Sequence, residues 1–305
     1  IETEALSEFG NDPLLFESIA DNYGKMGAIS KNYEFLKRGE ALSEDGIFKL
    51  KLEDLGRVAK RISITIEDIE ESLNGSHIHL TELLLKRIIQ RTCVRNVNTE
   101  WEKNKSVAMI SSSLGRGGAE RQVVACLNKL NSDDKWGDIR LFCNRIDSSG
   151  GRFGTFEREV REIGVEIKEI GFSKKDRSNH PQIEEWSDLL NLLPESMKKT
   201  IIPLFEEFVK FKPSVVHSWQ DGMNIDAAVA ALMAGVPRIV LFARSMRTDE
   251  KSILHMRRKR YLKSAYTDLL NSRRVLLAHN SMAGAISYSD WLEMPVEKFE
   301  IIHNG

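Results

Sequence analysis

From Lys105 onward, short apolar runs alternate with longer amphipathic segments, the pattern of a parallel sheet covered by helices. The runs at 107–111, 139–143, 165–169, 215–217, 238–243, 275–279 and 299–303 are predicted strands. Helices are predicted over 119–130, 155–163, 183–192, 195–211, 224–233, 251–270 and 283–291. The expected fold class is α/β, a doubly wound parallel sheet of Rossmann-like type with about seven strands, in which ligands sit at the carboxyl ends of the strands.

Residues 1–100 read differently, as an all-α region preceding a sheet domain over 101–305. Asn11-Asp12-Pro13 is a helix start, a capping side chain followed by proline in the first turn. Phe16, Ile19, Ala20 and Tyr23 recur at helical spacing, Gly27 follows, and a second helix carries Tyr33, Leu36 and Leu42. This resembles one tetratricopeptide unit of about 34 residues, except that Asn32 and Gly39 stand where alanine-like residues are expected. A plain helical bundle is the alternative. The polar stretch 95–105 is the expected boundary.

Composition excludes several classes. With 44 basic and 45 acidic residues the net charge is -1, so no field marks the chain as a nucleic-acid binder. The three cysteines, Cys93, Cys126 and Cys143, lack metal-ligand spacing, and two of them fall in apolar surroundings. No apolar run approaches the roughly 20 residues that span a bilayer. A cytoplasmic location is expected, with the inner face of the membrane as a further option because 251–270 carries Arg257-Arg258-Lys259-Arg260 among apolar residues. A solvated helix face is the commoner meaning of such a pattern.

Four segments carry candidate chemistry. In 111–122 (SSSLGRGGAERQ) a strand ends in serines and glycines lead into a helix. Glycine permits positive φ and close approach of the backbone to a ligand, and free N–H groups at a helix start favour an anion. It is no dinucleotide fingerprint, since Glu120 replaces the third glycine, and no Walker loop follows. In 213–231, His217 ends a buried strand, and 218–222 form a polar loop, with Asp221 or Asn224 to cap the next helix. In 238–247, Arg244 and Arg247 follow a buried strand and suit bidentate recognition of phosphate or carboxylate. Asn280 and Ser281 follow the strand at 275–279 and precede a helix.

The wording Gly117-Gly118-Ala119-Glu120-Arg121-Gln122, with His217, Arg244 and the closing KFEIIHNG, resembles the acceptor-side domain of retaining GT-B glycosyltransferases, glycosyltransferase family 4. The resemblance covers about 105–305 and implies transfer of a sugar from a nucleotide donor to a glycan or lipid-linked glycan in surface polysaccharide synthesis, without metal or cofactor. It makes His217 the candidate catalytic residue. It assigns Arg116, Gly117, Gly118, Trp219, Arg244 and Asn280 to donor or acceptor binding: Gly117 and Gly118 through backbone N–H groups, Arg116 and Arg244 through charge, Trp219 by stacking. For Trp219 a packing role is equally natural. Glu120 and Arg121 are expected to fix the helix start. The family's second histidine is replaced by Trp219. Its donor-binding domain, with paired glutamates, is not in this sequence, so this piece alone is expected to be inactive. A non-catalytic module binding a sugar, a nucleotide or a protein is the competing reading.

Overall fold

The computed structural model describes residues 12–25, 28–43, 46–73, 79–93, 97–147, 151–170, 181–247 and 261–304. The chain forms two compact units, Ile1–Arg87 with Glu185–Pro194, and Ile88–Glu184 with Glu195–Gly305.

The first unit is helical: α1 (Pro13–Lys25), α2 (Ile29–Leu42), α3 (Ile47–Arg61), α4 (Ile66–Ser72) and the first part of α5 (Leu80–Cys93). Asp12 Oδ1 accepts the Leu14 N–H at 2.9 Å, which gives α1 the start its sequence announces. Phe16 and Ala20 pack with Phe35, Leu36 and Phe48 into a core. Gly39 has a clear purpose. A methyl group there would lie 2.1 Å from the Phe48 ring, so its absence lets the ring of α3 seat on α2. Asn32 bonds the Ala20 carbonyl at 2.7 Å, a polar tie between α1 and α2.

The second unit holds the sheet. Its elements are β1 (Val107–Ser111), α6 (Gly118–Asn131), β2 (Ile139–Cys143), α7 (Glu157–Glu162), β3 (Glu166–Glu169) and α8 (Pro181–Glu184). After α9 (Ser187–Leu190), which belongs to the first unit, come α10 (Glu195–Phe211), β4 (Val215–Trp219), α11 (Asp221–Ala234), β5 (Arg238–Ala243), α12 (Tyr261–Leu270), β6 (Val275–His279), α13 (Met282–Leu292) and β7 (Phe299–Ile301). All pairings are parallel, in the order β3-β2-β1-β4-β5-β6-β7. The α/β fold read from the sequence is thus present, with a strand at each expected apolar run.

Three local expectations are corrected. The predicted helix at 183–192 is two short turns, α8 and α9, because the chain passes between the two units at Glu184 and Glu185. Ser218 and Trp219 are strand, not loop: they pair with Leu241 and Phe242 of β5. Neither Asp221 nor Asn224 caps α11. Gln220 holds the cap position without a side-chain bond to the helix N–H groups, and Asp221 is the first helical residue.

The order of strands fixes where a ligand can sit. From β1 the chain runs outward through β2 to β3, then returns to β4 on the other side of β1. Loops leaving β1 and β4 therefore diverge and open a crevice at their carboxyl ends. The core beneath is apolar, built on Val107, Met109, Leu141 and Cys143 from the sheet and Val123 and Leu127 from α6. Burial pushes the Cys143 thiol far up and the Cys126 thiol up to about 11, so neither is a thiolate at neutral pH. Among the described residues, no helix is long and apolar enough to cross a membrane, and no group of His, Cys, Asp and Glu is arranged to hold a metal.

Candidate functional site

The site begins where β1 ends. Ser111 donates from Oγ to the Ser113 carbonyl at 2.8 Å, turning the chain out of the sheet. Leu114 N–H bonds Phe153 O at 3.0 Å and Phe156 N–H bonds Leu114 O at 2.9 Å, which ties this turn to the loop before α7. The glycines are explained by clearance, not by conformation. Gly117 is extended (φ −146°, ψ 160°), and the positive-φ glycines among the described residues are Gly164 and Gly235. A methyl at Gly115 would lie 2.6 Å from the Arg152 carbonyl oxygen. One at Gly117 would lie 2.1 Å from Glu120 Oε2, whereas Gly118 faces open space. The Gly117 N–H is already given to Gly115 O at 3.0 Å. The anion-directed role expected of it is therefore corrected: the N–H groups left at the start of α6 are those of the following residues.

Between this turn and the loop lies a cavity of about 540 Å³, lined among others by Ser113, Arg116, Glu120, Arg152 and Phe153. Arg116 stands exposed on its wall.

Gln220 connects the strand ends. Its backbone has φ 72° and ψ 141°, a region glycine favours and other residues enter at a cost of about 1–3 kcal/mol. Three bonds hold it there. Its N–H donates to Phe242 O at 3.2 Å, its amide oxygen accepts from Ser112 Oγ at 2.5 Å, and its amide N–H donates to Glu120 Oε1 at 3.1 Å. One residue thus links the ends of β1, β4 and β5 to the first turn of α6. Behind it, Asp221 Oδ1 accepts the hydroxyls of Tyr266, at 3.0 Å, and of Tyr288. Asn224 Nδ2 reaches Phe242 O at 3.3 Å and Tyr266 Oη at 3.1 Å. These bonds fix the first turn of α11 and keep the strained residue in place.

His217, Trp219 and Arg244 meet on one side of this junction. Trp219 is 4% exposed, its ring 4.5 Å from that of Phe242 and its N–H directed at Met109 Sδ, 3.1 Å away. That is a packed indole, with the Arg244 guanidinium 5.6 Å from its centroid. His217 lies beside it, ring centres 5.2 Å apart. Burial pushes His217 down to about 4, so the ring is neutral at pH 7, and its buried Nε2 has no hydrogen-bond partner among the described residues. Arg244 is half-buried, and its Nη1 is likewise enclosed without a partner. Desolvation lowers its pKa, while Glu120 opposes the shift.

Asn280 lies two strands away, at the end of β6, beside His279. Ser281, not Asn280, caps α13, accepting Gly284 N–H at 3.1 Å. His279 escaped the sequence reading. Its Nε2 faces Ser245 O at 3.0 Å and its Nδ1 faces the Ser281 N–H at 3.4 Å. The carbonyl can only accept and the N–H only donate, so Nε2 carries the proton and the ring is neutral. It anchors the carbonyl next to Arg244. Arg247 is tied through its N–H to Ser287 Oγ at 3.1 Å. The basic run Arg257–Arg260 of the predicted helix 251–270 lies outside the described residues.

The structure therefore gathers Arg116, Gly117, Gly118, His217, Trp219 and Arg244 around the β1 and β4 ends and leaves Asn280 at β6. It adds Gln220, Glu120 and Ser112 there, and sets His279 at the end of β6 against the Ser245 carbonyl. The signal for Glu120 and Gln220 was present in the sequence as polar residues at two strand-to-helix turns, but their pairing is a product of strand order.

No family model matches this chain. In an alignment of 214 positions that covers 65% of its length, it is 30% identical to the Vi polysaccharide biosynthesis protein VipC/TviE of Salmonella typhi. The chain spans 36% of that relative, about a third of its length. Among solved structures, it aligns with the lipopolysaccharide outer core galactosyltransferase WaaB in its apo form over 65% of this chain and 45% of that one, with 10% identity and a TM-score of 0.41. It also aligns with an O-GlcNAc transferase mutant from Thermobaculum terrenum over 100% of this chain and 70% of that one, with 10% identity and a TM-score of 0.30.

Proposed function

We propose that the sheet unit is the acceptor-side half of a retaining GT-B glycosyltransferase that moves a sugar from a nucleotide donor to a glycan or lipid-linked glycan in surface polysaccharide synthesis. The observation that carries this reading is the position of the turn 111–122: it opens at the point where the strand order reverses, and the charge of its Glu120 acts on Arg244 at the end of β5. The relative named for polysaccharide biosynthesis supports it.

In this reading the residues divide the work. Arg244 supplies a desolvated cation whose Nη1 lacks a partner among the described residues, suited to an oxygen of the donor diphosphate as negative charge builds on the leaving group. His217 is neutral and offers Nε2 for a hydrogen bond to a sugar hydroxyl. Trp219 acts as the packed platform under Arg244 rather than as an open stacking face. The opposite wall of the cleft, which would hold most of the donor, belongs to the family's second domain. The site of action is the cytoplasm or the inner membrane face, where lipid-linked acceptors are presented.

Transfer by the full-length protein tests the assignment. Arg244→Ala is expected to lower kcat by about 10²-fold, the scale of losing one preorganised charge-stabilising donor, and His217→Ala by about tenfold. Unchanged transfer in both variants would remove these residues from the site.

A further inference from the structure

Glu120 is a carboxylate with unfinished business in the cavity. It is 8% exposed, yet a single hydrogen bond reaches it among the described residues, from the Gln220 amide to Oε1. Oε2 lies against the α-carbon of Gly117, which has no methyl to displace it, and the residue forms part of the cavity wall. A buried carboxylate ordinarily accepts several hydrogen bonds, because its desolvation is otherwise uncompensated. Further donors can reach it from the cavity whose wall it forms.

The rest of the wall says what kind of donor fits. Arg116 and Arg152 line the same space, so a cation is disfavoured. The Glu120 carboxylate in turn repels a phosphate or carboxylate placed against it. A hydroxyl satisfies both, because it donates to a carboxylate and accepts from a guanidinium. Phe153 contributes an apolar surface to the same cavity. Neighbouring hydroxyls on a ring with one apolar face describe a sugar.

We infer that this cavity is a subsite for a neutral sugar ring of the acceptor, in which Glu120 Oε2 accepts a hydrogen bond from a ring hydroxyl and Gln220 is the positioning residue that aims the carboxylate. The inference rests on the transferase reading for the role of the sugar as acceptor; the binding chemistry stands on the cavity itself. The strain at Gln220 acquires a purpose here. With its backbone at positive φ, one side chain reaches both Ser112 and Glu120 while its N–H stays bonded to β5.

The test uses methyl glycosides of glucose, galactose and mannose, titrated into the 305-residue chain and followed by saturation-transfer NMR. At least one glycoside is expected to bind, and Glu120→Gln, which is isosteric and keeps an acceptor for the Gln220 amide, to raise its Kd about tenfold or more. Gln220→Gly is expected to weaken binding as well, although it relieves the backbone strain and leaves the thermal midpoint within a few degrees. It carries the test if Glu120→Gln unfolds. No binding of any glycoside to the native chain, or binding unaltered in a folded Glu120→Gln variant, would overturn the subsite. Sugar transfer by the full-length protein is scored separately. Transfer that persists without a glycoside effect at Glu120 removes this assignment and leaves the transferase reading standing; glycoside binding without any transfer does the reverse.

Discussion

His217 shows how burial sets chemistry at a single residue. Its pKa falls from the ordinary 6.5 to about 4 because the charged ring would be desolvated. Between those values the unfolded chain binds the proton more readily than the folded one. Stability is therefore full above about pH 6.5, rises with pH through the window, and is lost as pH falls toward 4. His279 shifts in the same direction, also by burial first. The difference between the native chain and His217→Gln isolates His217. Urea unfolding at pH 7 and pH 5 is expected to show a smaller loss in the variant, by on the order of 2 kcal/mol; equal losses would contradict the buried neutral ring. The glycines give a second contrast. Gly117→Ala forces the Glu120 carboxylate off Gly117, since the new methyl would sit 2.1 Å from Oε2, and so disturbs its bond to Gln220, whereas Gly118→Ala meets nothing within 4 Å among the described residues. Thermal melts are expected to place Gly118→Ala at or above the native midpoint and Gly117→Ala below it, by about 1–3 kcal/mol in stability for a lost charged hydrogen bond.

At the scale of elements, most of the sheet was legible because its strands are buried runs such as Val107–Ser111 and Ile139–Cys143, which flanking polar turns delimit cleanly. The end of β4 was not. Ser218, Gln220, Asp221 and Gly222 carry turn chemistry, and Ser218 and Trp219 become strand because β5 offers Leu241 and Phe242 beside them. Gln220 then makes the turn in a conformation that sequence assigns to glycine. The reason for the glycines in 111–122 was equally hidden. A glycine needed for clearance and one needed for positive φ look alike until the opposing atom is known, here a carbonyl of Arg152 and a carboxylate of Glu120. The packing of α13 on β6 depends on the same kind of clearance. A methyl at Gly284 would overlap the His279 ring, 1.7 Å from its Cε1. Gly284→Ala is expected to cost about 3 kcal/mol and lower the midpoint by on the order of 10 °C, read by calorimetry. It would also disturb the Ser245 carbonyl that His279 holds beside Arg244.

At the scale of the molecule, the strand order does what no local pattern could announce. It places the turn after β1 next to the end of β4, which lie 108 positions apart at Ser112 and Gln220. The sequence supplied each residue of that junction and the resemblance supplied its meaning; the Glu120–Gln220 pair needed the fold. Asn280 illustrates the converse, a polar strand end that the order β4-β5-β6 keeps two strands from the crevice. Sugar transfer with retention at this crevice is the proposal to be tested. The most direct measurement is incubation of the full-length protein with uridine, guanosine and thymidine diphosphate sugars, following the anomeric proton of the transferred or released sugar by NMR. One donor is expected to be consumed, and its sugar to appear first with the anomeric configuration it had in the donor. A folded protein that consumes none of them, or a product of inverted configuration, would contradict it.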